Sequence, residues 1–179
     1  MAPDGVLEAE WLNSRGAIAR FDRNAIEIRV LDIQECPLAD VSLAVLICAV
    51  LKGLCEGRWV GLAEQKAADT GELADIFVGT VRDGEQTVIN NRRYLALFGK
   101  GDNAAMTAGD LWQELAAGCG PELAEAGHDI QQTVATMLAQ GPLSRRIIRA
   151  LGVKHDRERF REVYRELGKC LAQGRLFLP

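Results

Sequence analysis

The stretch Gly16-Ala-Ile-Ala-Arg-Phe-Asp-Arg-Asn-Ala-Ile-Glu-Ile-Arg-Val-Leu31 decides how this chain is read. From Ala25 to Leu31 it alternates strictly. Ile26, Ile28 and Val30 fall on one face, and Glu27 and Arg29 fall on the other. A period of two is that of a half-buried strand. Asp22-Arg23-Asn24 are turn residues, and Gly16 to Phe21 supplies a strand before them. The expectation is a β-hairpin whose second strand sets an acid and a base side by side. By parity, Arg23, Glu27 and Arg29 line one face of that strand.

Outward from the hairpin the pattern turns helical. Pro37 to Leu54 is apolar nearly all round, with Asp40 near its start. Such a helix is expected to be buried and, to Glu56, about 30 Å long. Trp59 to Ala68 continues as a second helical stretch, and Gly71 to Val81 fits either a helix or a strand. Asp83-Gly84 marks a turn, and Asn90 to Phe98 a short helix. Thr107 with Asp110 resembles a capping box for a helix ending near Gly118. Pro121 opens a helix to Gly141, and Pro142 opens one closed by Gly152. Asp156 caps a last helix, with Phe160, Val163, Tyr164, Leu167 and Leu171 at spacings of three and four, up to Gly174. The fold class is therefore α+β and predominantly α-helical. A β-hairpin portion of a catalytic domain (1–35) precedes a C-terminal helical region (36–179).

The 179 residues suffice for about one domain. With 48% hydrophobic and 26% charged residues and a net charge of −4, the chain is neither disordered nor a strongly basic nucleic-acid binder. Two basic helices flanking Gly152-Val-Lys-His155 superficially suggest a DNA-reading helix-turn-helix. Interspersed Glu158, Glu162 and Glu166 favour a solvated helix face instead. The first residues carry no secretory pattern, and the longest apolar run, Leu43 to Leu51, is shorter than the roughly 20 residues a bilayer requires. The five cysteines have neither C-x-x-C nor zinc spacing and read as reduced core fillers. A cytoplasmic protein with no nucleic-acid or membrane partner is expected.

The chemistry concentrates in the hairpin. Arg15, Arg20, Arg23, Glu27 and Arg29 lie close together in sequence, with Asp32 just beyond. Guanidinium groups bind phosphate or carboxylate bidentately, and a strand carboxylate among them can hold Mg²⁺. A solvated strand face with cross-strand ion pairs is the plain alternative.

Ala25-Ile-Glu-Ile-Arg-Val-Leu-Asp32, then Cys36-Pro37 and an apolar helix to Gly53-Leu54, resembles the catalytic strand and following helix of the glutamine synthetase superfamily. Ser14-Arg15-Gly-Ala-Ile-Ala-Arg20 repeats that superfamily's two arginines five residues apart. Residues 11–37 are most similar to the last catalytic hairpin of its glutamate–cysteine ligase branch, the carboxylate–amine ligases. Gly141-Pro-Leu-Ser-Arg-Arg-Ile-Ile-Arg-Ala-Leu-Gly152 and the terminal helix resemble that branch's C-terminal helices. One departure is a connection from Arg20 to Glu27 shorter than in glutamine synthetases.

The resemblance implies an ATP- and Mg²⁺-dependent enzyme of glutathione biosynthesis. It would join glutamate to cysteine through a γ-glutamyl phosphate. Glu27 matches the metal-ligating glutamate. Arg29 matches the catalytic arginine that contacts glutamate and its acyl phosphate. Arg15 and Arg20 match the pair that contacts nucleotide phosphates. Because that family builds its site on a larger sheet, this chain reads as the C-terminal part of a ligase about twice as long, inert alone. Its free hairpin edge is available to the rest of the catalytic domain or to a second copy. The other readings are a non-catalytic helical interaction or scaffold module, and a related carboxylate–amine ligase with a different amine substrate.

Overall fold

A computed structural model describes residues 16–102, 105–153 and 156–179. Arg15 and His155 lie outside the described residues. The chain divides into two compact units, Met1–Ile33 and Gln34–Pro179.

In the first unit, β1 (Ala17–Arg20) pairs antiparallel with β2 (Ala25–Ile28). A single turn of 3₁₀ helix, Phe21–Arg23, joins them. Asn24 completes the reversal with φ +47°, a left-handed conformation that asparagine tolerates. The expected strand to Leu31 ends its ladder at Ile28, although the Arg29 amide still donates to Gly16 O at 2.9 Å. Ile26 is 62% exposed and Phe21 89% exposed, so the hairpin keeps apolar surface open to water.

The second unit is helical. Its elements are α1 (Pro37–Cys55), α2 (Leu62–Lys66), α3 (Thr70–Asp83), α4 (Arg92–Ala96), α5 (Ala108–Gly118), α6 (Gly120–Ala126), α7 (His128–Gln140), α8 (Leu143–Leu151) and α9 (Arg157–Gln173). A second antiparallel pair, β3 (Val88–Ile89) with β4 (Met106–Thr107), lies between α3 and α5 in sequence order. The fold is α+β and predominantly helical. The extra pair was absent from the sequence pattern because two residues per strand cannot show alternation.

Several boundaries differ from the sequence pattern for local reasons. The ambiguous 71–81 segment is helix α3, opened by the Asp69 side chain accepting from Glu72 N at 2.9 Å. The 59–68 stretch keeps helix only in α2. The expected Pro121–Gly141 helix breaks at Gly127, where φ is +117°, giving α6 and α7. The Thr107–Asp110 capping box forms fully, with Asp110 N donating to Thr107 Oγ1 at 3.0 Å.

Helix α1 packs against α5, α6 and α7. Ala39, Leu46, Ala49, Val50 and, through its lack of a side chain, Gly53 form its inner face. It spans 19 residues with a mean hydropathy of 2.1, so by length and composition it could cross a membrane. That exceeds the Leu43–Leu51 run because Asp40 and Lys52 are tolerated near its ends. It is not buried all round: Val41 is 51% exposed, and Cys48 and Cys55 are exposed. Cys36, Cys119 and Cys170 fill the core, so the core-filler expectation fails for Cys48 and Cys55. On α9, Val163 and Cys170 are buried while Phe160, Tyr164 and Leu171 remain exposed, so the inward stripe is narrower than the apolar spacing implied.

The deepest polar feature joins the first residues of this unit to its last. The side chains of Glu35 and Arg146 are fully buried and paired. Arg146 donates to both Glu35 oxygens, to Phe177 O at 2.9 Å and to Gly141 O at 3.1 Å. Glu35 Oε1 also accepts from Phe177 N at 3.0 Å. The basic α8–α9 segment is therefore not a uniformly solvated face, since Arg146 is its exception.

Candidate functional site at the hairpin

The register places Ile18 opposite Glu27 and Arg20 opposite Ala25. Residues two apart share a face, so Ile18, Arg20, Glu27 and Arg29 project together. The side chains follow this arrangement. Arg29 Nε donates to Glu27 Oε1 at 2.8 Å, and Arg20 Nη1 donates to Glu27 Oε2 at 3.2 Å. The carboxylate is thus bracketed by two guanidinium groups, one from each side of the hairpin. Arg20 also donates to Asp22 Oδ1 at 3.4 Å.

All three side chains are partly exposed, at 20% for Arg20, 25% for Arg29 and 39% for Glu27. Pairs in such a setting contribute little net stability. Their effect is on charge and orientation. The hydrogen bond from Arg29 comes first among the causes that hold the Glu27 carboxyl below the usual glutamate range, with the charges of Arg29 and Arg20 adding to it. The two guanidinium groups are oriented by the carboxylate they share, and guanidinium donors suit phosphate or carboxylate oxygens.

Arg23 does not join this face. It sits in the 3₁₀ turn, is 70% exposed and pairs with Asp22 at 3.4 Å. The parity argument assigned it to a strand that begins two residues later. Arg15, the remaining candidate, lies outside the described residues. Among the described residues, no group of three or more His, Cys, Asp or Glu side chains is placed to hold a metal ion. Among the described residues, Glu27 is the carboxylate that Arg20 and Arg29 share. Mg²⁺ takes one or two protein carboxylates with water and phosphate oxygens completing its shell, so this donor set fits a metal–phosphate complex and not a bare ion.

Two residues that fix the chain downstream of this face, Glu35 and Arg146, were not singled out by the sequence pattern. The signal was present in Arg146, which stands three residues after Leu143 and so on the inward stripe of α8.

No family model matches the chain, and no solved structure matches it. A segment of 51 residues is 51% identical to a protein of Archaeoglobus fulgidus that is itself described as uncharacterized. The match covers 28% of this chain and 14% of that protein, so the chain spans only a small part of its relative's length.

Proposed function

We propose that this chain is the C-terminal part of a cytoplasmic, ATP-dependent carboxylate–amine ligase of the glutamate–cysteine ligase type, belonging to the glutamine synthetase superfamily. The observation that carries the reading is Glu27 held between Arg29 and Arg20 on one hairpin face. These are the residues the family resemblance assigns to metal, acyl phosphate and nucleotide. The exposed Ile26 and Phe21 support it further, because a hairpin with open apolar surface suits the edge of a larger sheet.

In this reading Glu27 would hold Mg²⁺, which neutralises phosphoryl charge when bound with ATP. Arg29 orients the γ-carboxylate of glutamate and stabilises charge on the acyl phosphate. Arg20, with Arg15, meets the nucleotide phosphates. Glu27 also keeps the two flanking guanidinium groups oriented before substrate arrives, so they need not be ordered at the moment of reaction. Phosphoryl transfer depends mainly on such positioning and charge stabilisation.

The test is phosphate release that requires ATP, glutamate and cysteine together, measured on the complete protein. Removing a transition-state arginine costs on the order of 10³-fold or more in rate. Arg29→Ala should therefore reduce turnover by orders of magnitude, and Glu27→Gln should raise the Mg²⁺ concentration needed for half-maximal turnover. Retention of more than about a tenth of wild-type turnover by Arg29→Ala would refute the assignment.

A further inference from the structure

We propose that the outer face of α1 is a self-association surface, on which a second copy of this chain packs its own α1 antiparallel about a two-fold axis. The proposal is independent of the hairpin reading, because the surface belongs wholly to the helical unit. Helix α1 carries two seams of the same spacing. The first is Ala39, Ser42, Leu46, Ala49 and Gly53, all buried. The second is Val41, Ala44, Cys48, Leu51 and Cys55, all exposed. Both advance by alternating steps of three and four residues, the spacing at which one helix receives the side chains of another. The two are offset by two residues, about 200° around the helix axis. The first seam lies in the core against α5, α6 and α7. The second is free of charged side chains and, among the described residues, nothing covers it.

An exposed apolar strip marks a contact surface, and two observations identify the occupant as a second α1. The seam is complementary to itself. Turned end for end about Leu46, α1 sets Val41 opposite Leu51 of the second copy, and Ala44 opposite Cys48. The larger side chains then form the outer layers, and the small ones let the helices approach at the centre. The charges agree with this direction. From Val41 to Leu51 there is no charged residue, and Asp40 and Lys52 stand just beyond the two ends. Antiparallel pairing sets the Asp40 end of one helix beside the Lys52 end of the other and opposes the helix dipoles. Parallel pairing would bring like charges and like dipole ends level.

A two-fold pair covers both seams at once, so assembly stops at a dimer. Crossing a bilayer, which the mean hydropathy of 2.1 would allow, would instead strip the first seam from its core packing. A single helix pair along a seam about 21 Å long is smaller than the interfaces of roughly 1,200 Å² or more that hold stable complexes. The dimer therefore dissociates at about 0.1 mM, which leaves Cys48 open to reagents at micromolar concentration.

The experiment is sedimentation equilibrium of the reduced 179-residue chain from about 10 µM to 1 mM. The average mass should rise from that of one chain toward that of two, with half the chains paired near 0.1 mM. Over that range the rate at which Cys48 reacts with a maleimide should fall about fivefold, as mass action dictates. Ala44→Glu, at the centre of the seam, should weaken association more than about tenfold. Val41→Glu and Leu51→Lys should each weaken it, and together they set opposite charges across both outer layers and should restore it. All three positions are exposed, so the variants should melt as the wild type does. A chain that stays monomeric to 1 mM, association undiminished by Ala44→Glu, or a double variant no stronger than its singles would overturn the proposal. So would a monomeric chain that binds phosphatidylcholine vesicles, since a bilayer and not a second copy would then take the seam.

Discussion

Removing the charge from Glu35 while keeping its shape, as Glu35→Gln, should be among the most damaging single changes in the helical unit. The Arg146 guanidinium would remain fully buried with no counter-charge. Breaking a buried pair from one side costs about 3–5 kcal/mol, because the surviving charge has lost its solvation as well as its partner. Against a total stability of roughly 5–15 kcal/mol, that is about a fifth or more of what holds the fold. For a chain of this size it corresponds to a fall in Tm of roughly 6–20 °C. Arg146→Met should cost a similar amount, since it strips donors from Glu35, Phe177 O and Gly141 O together. The double variant should lose clearly less than the two losses added, because neither charge is then stranded. It should still fall short of wild type, because Phe177 O and Gly141 O would lose the donors that Arg146 supplies. Urea denaturation of the four proteins gives the coupling energy directly. Losses below about 1 kcal/mol for either single variant, or strict additivity in the double, would refute the view that this pair ties Glu35 to α8 and Phe177.

The hairpin makes a pH prediction of definite sign. The folded Glu27 carboxyl is more acidic than in the unfolded chain, so its pairing contributes above the ordinary glutamate value of about 4.3. The contribution fades as the pH falls through the depressed folded value. A carboxyl titration by NMR should place its midpoint below that of an unperturbed glutamate, and Arg29→Ala should move it upward; no movement would separate Arg29 from Glu27. Thr107→Ala, which removes the capping box of α5, should cost about 1 kcal/mol and lower Tm by roughly 2–4 °C. An unchanged melting curve would count against the cap. Cys48 and Cys55, both exposed, should react with a thiol reagent in the native protein. Cys36, Cys119 and Cys170 should react only on unfolding, the more so because burial pushes the Cys119 and Cys170 thiols up. More than two fast thiols would contradict the core.

The sequence by itself determined the features set by neighbouring residues. The alternation over Ala25–Ile28, the Asp22–Asn24 reversal, the Thr107–Asp110 cap, and the glycine stops at 152 and 174 act over a few residues and were legible, whereas the expected strand from 29 to 31 did not form. So was the shared face of Glu27 and Arg29, because a strand's period of two fixes it. Tertiary structure decided the rest. For 71–81 both periods fitted the apolar residues, and only the structure shows it as helix, opened by the Asp69 cap on Glu72 N. Which α1 residues turned inward was undetermined, because a helix apolar all round does not specify its own buried face. That Arg20 joins Glu27 follows from the cross-strand register, and register belongs to the pair of strands, not to either alone. The pairing of Glu35 with Arg146 lay furthest from local pattern. Their 111-residue separation carries no periodicity, and two charges are buried there only because the fold brings them together in one dry place.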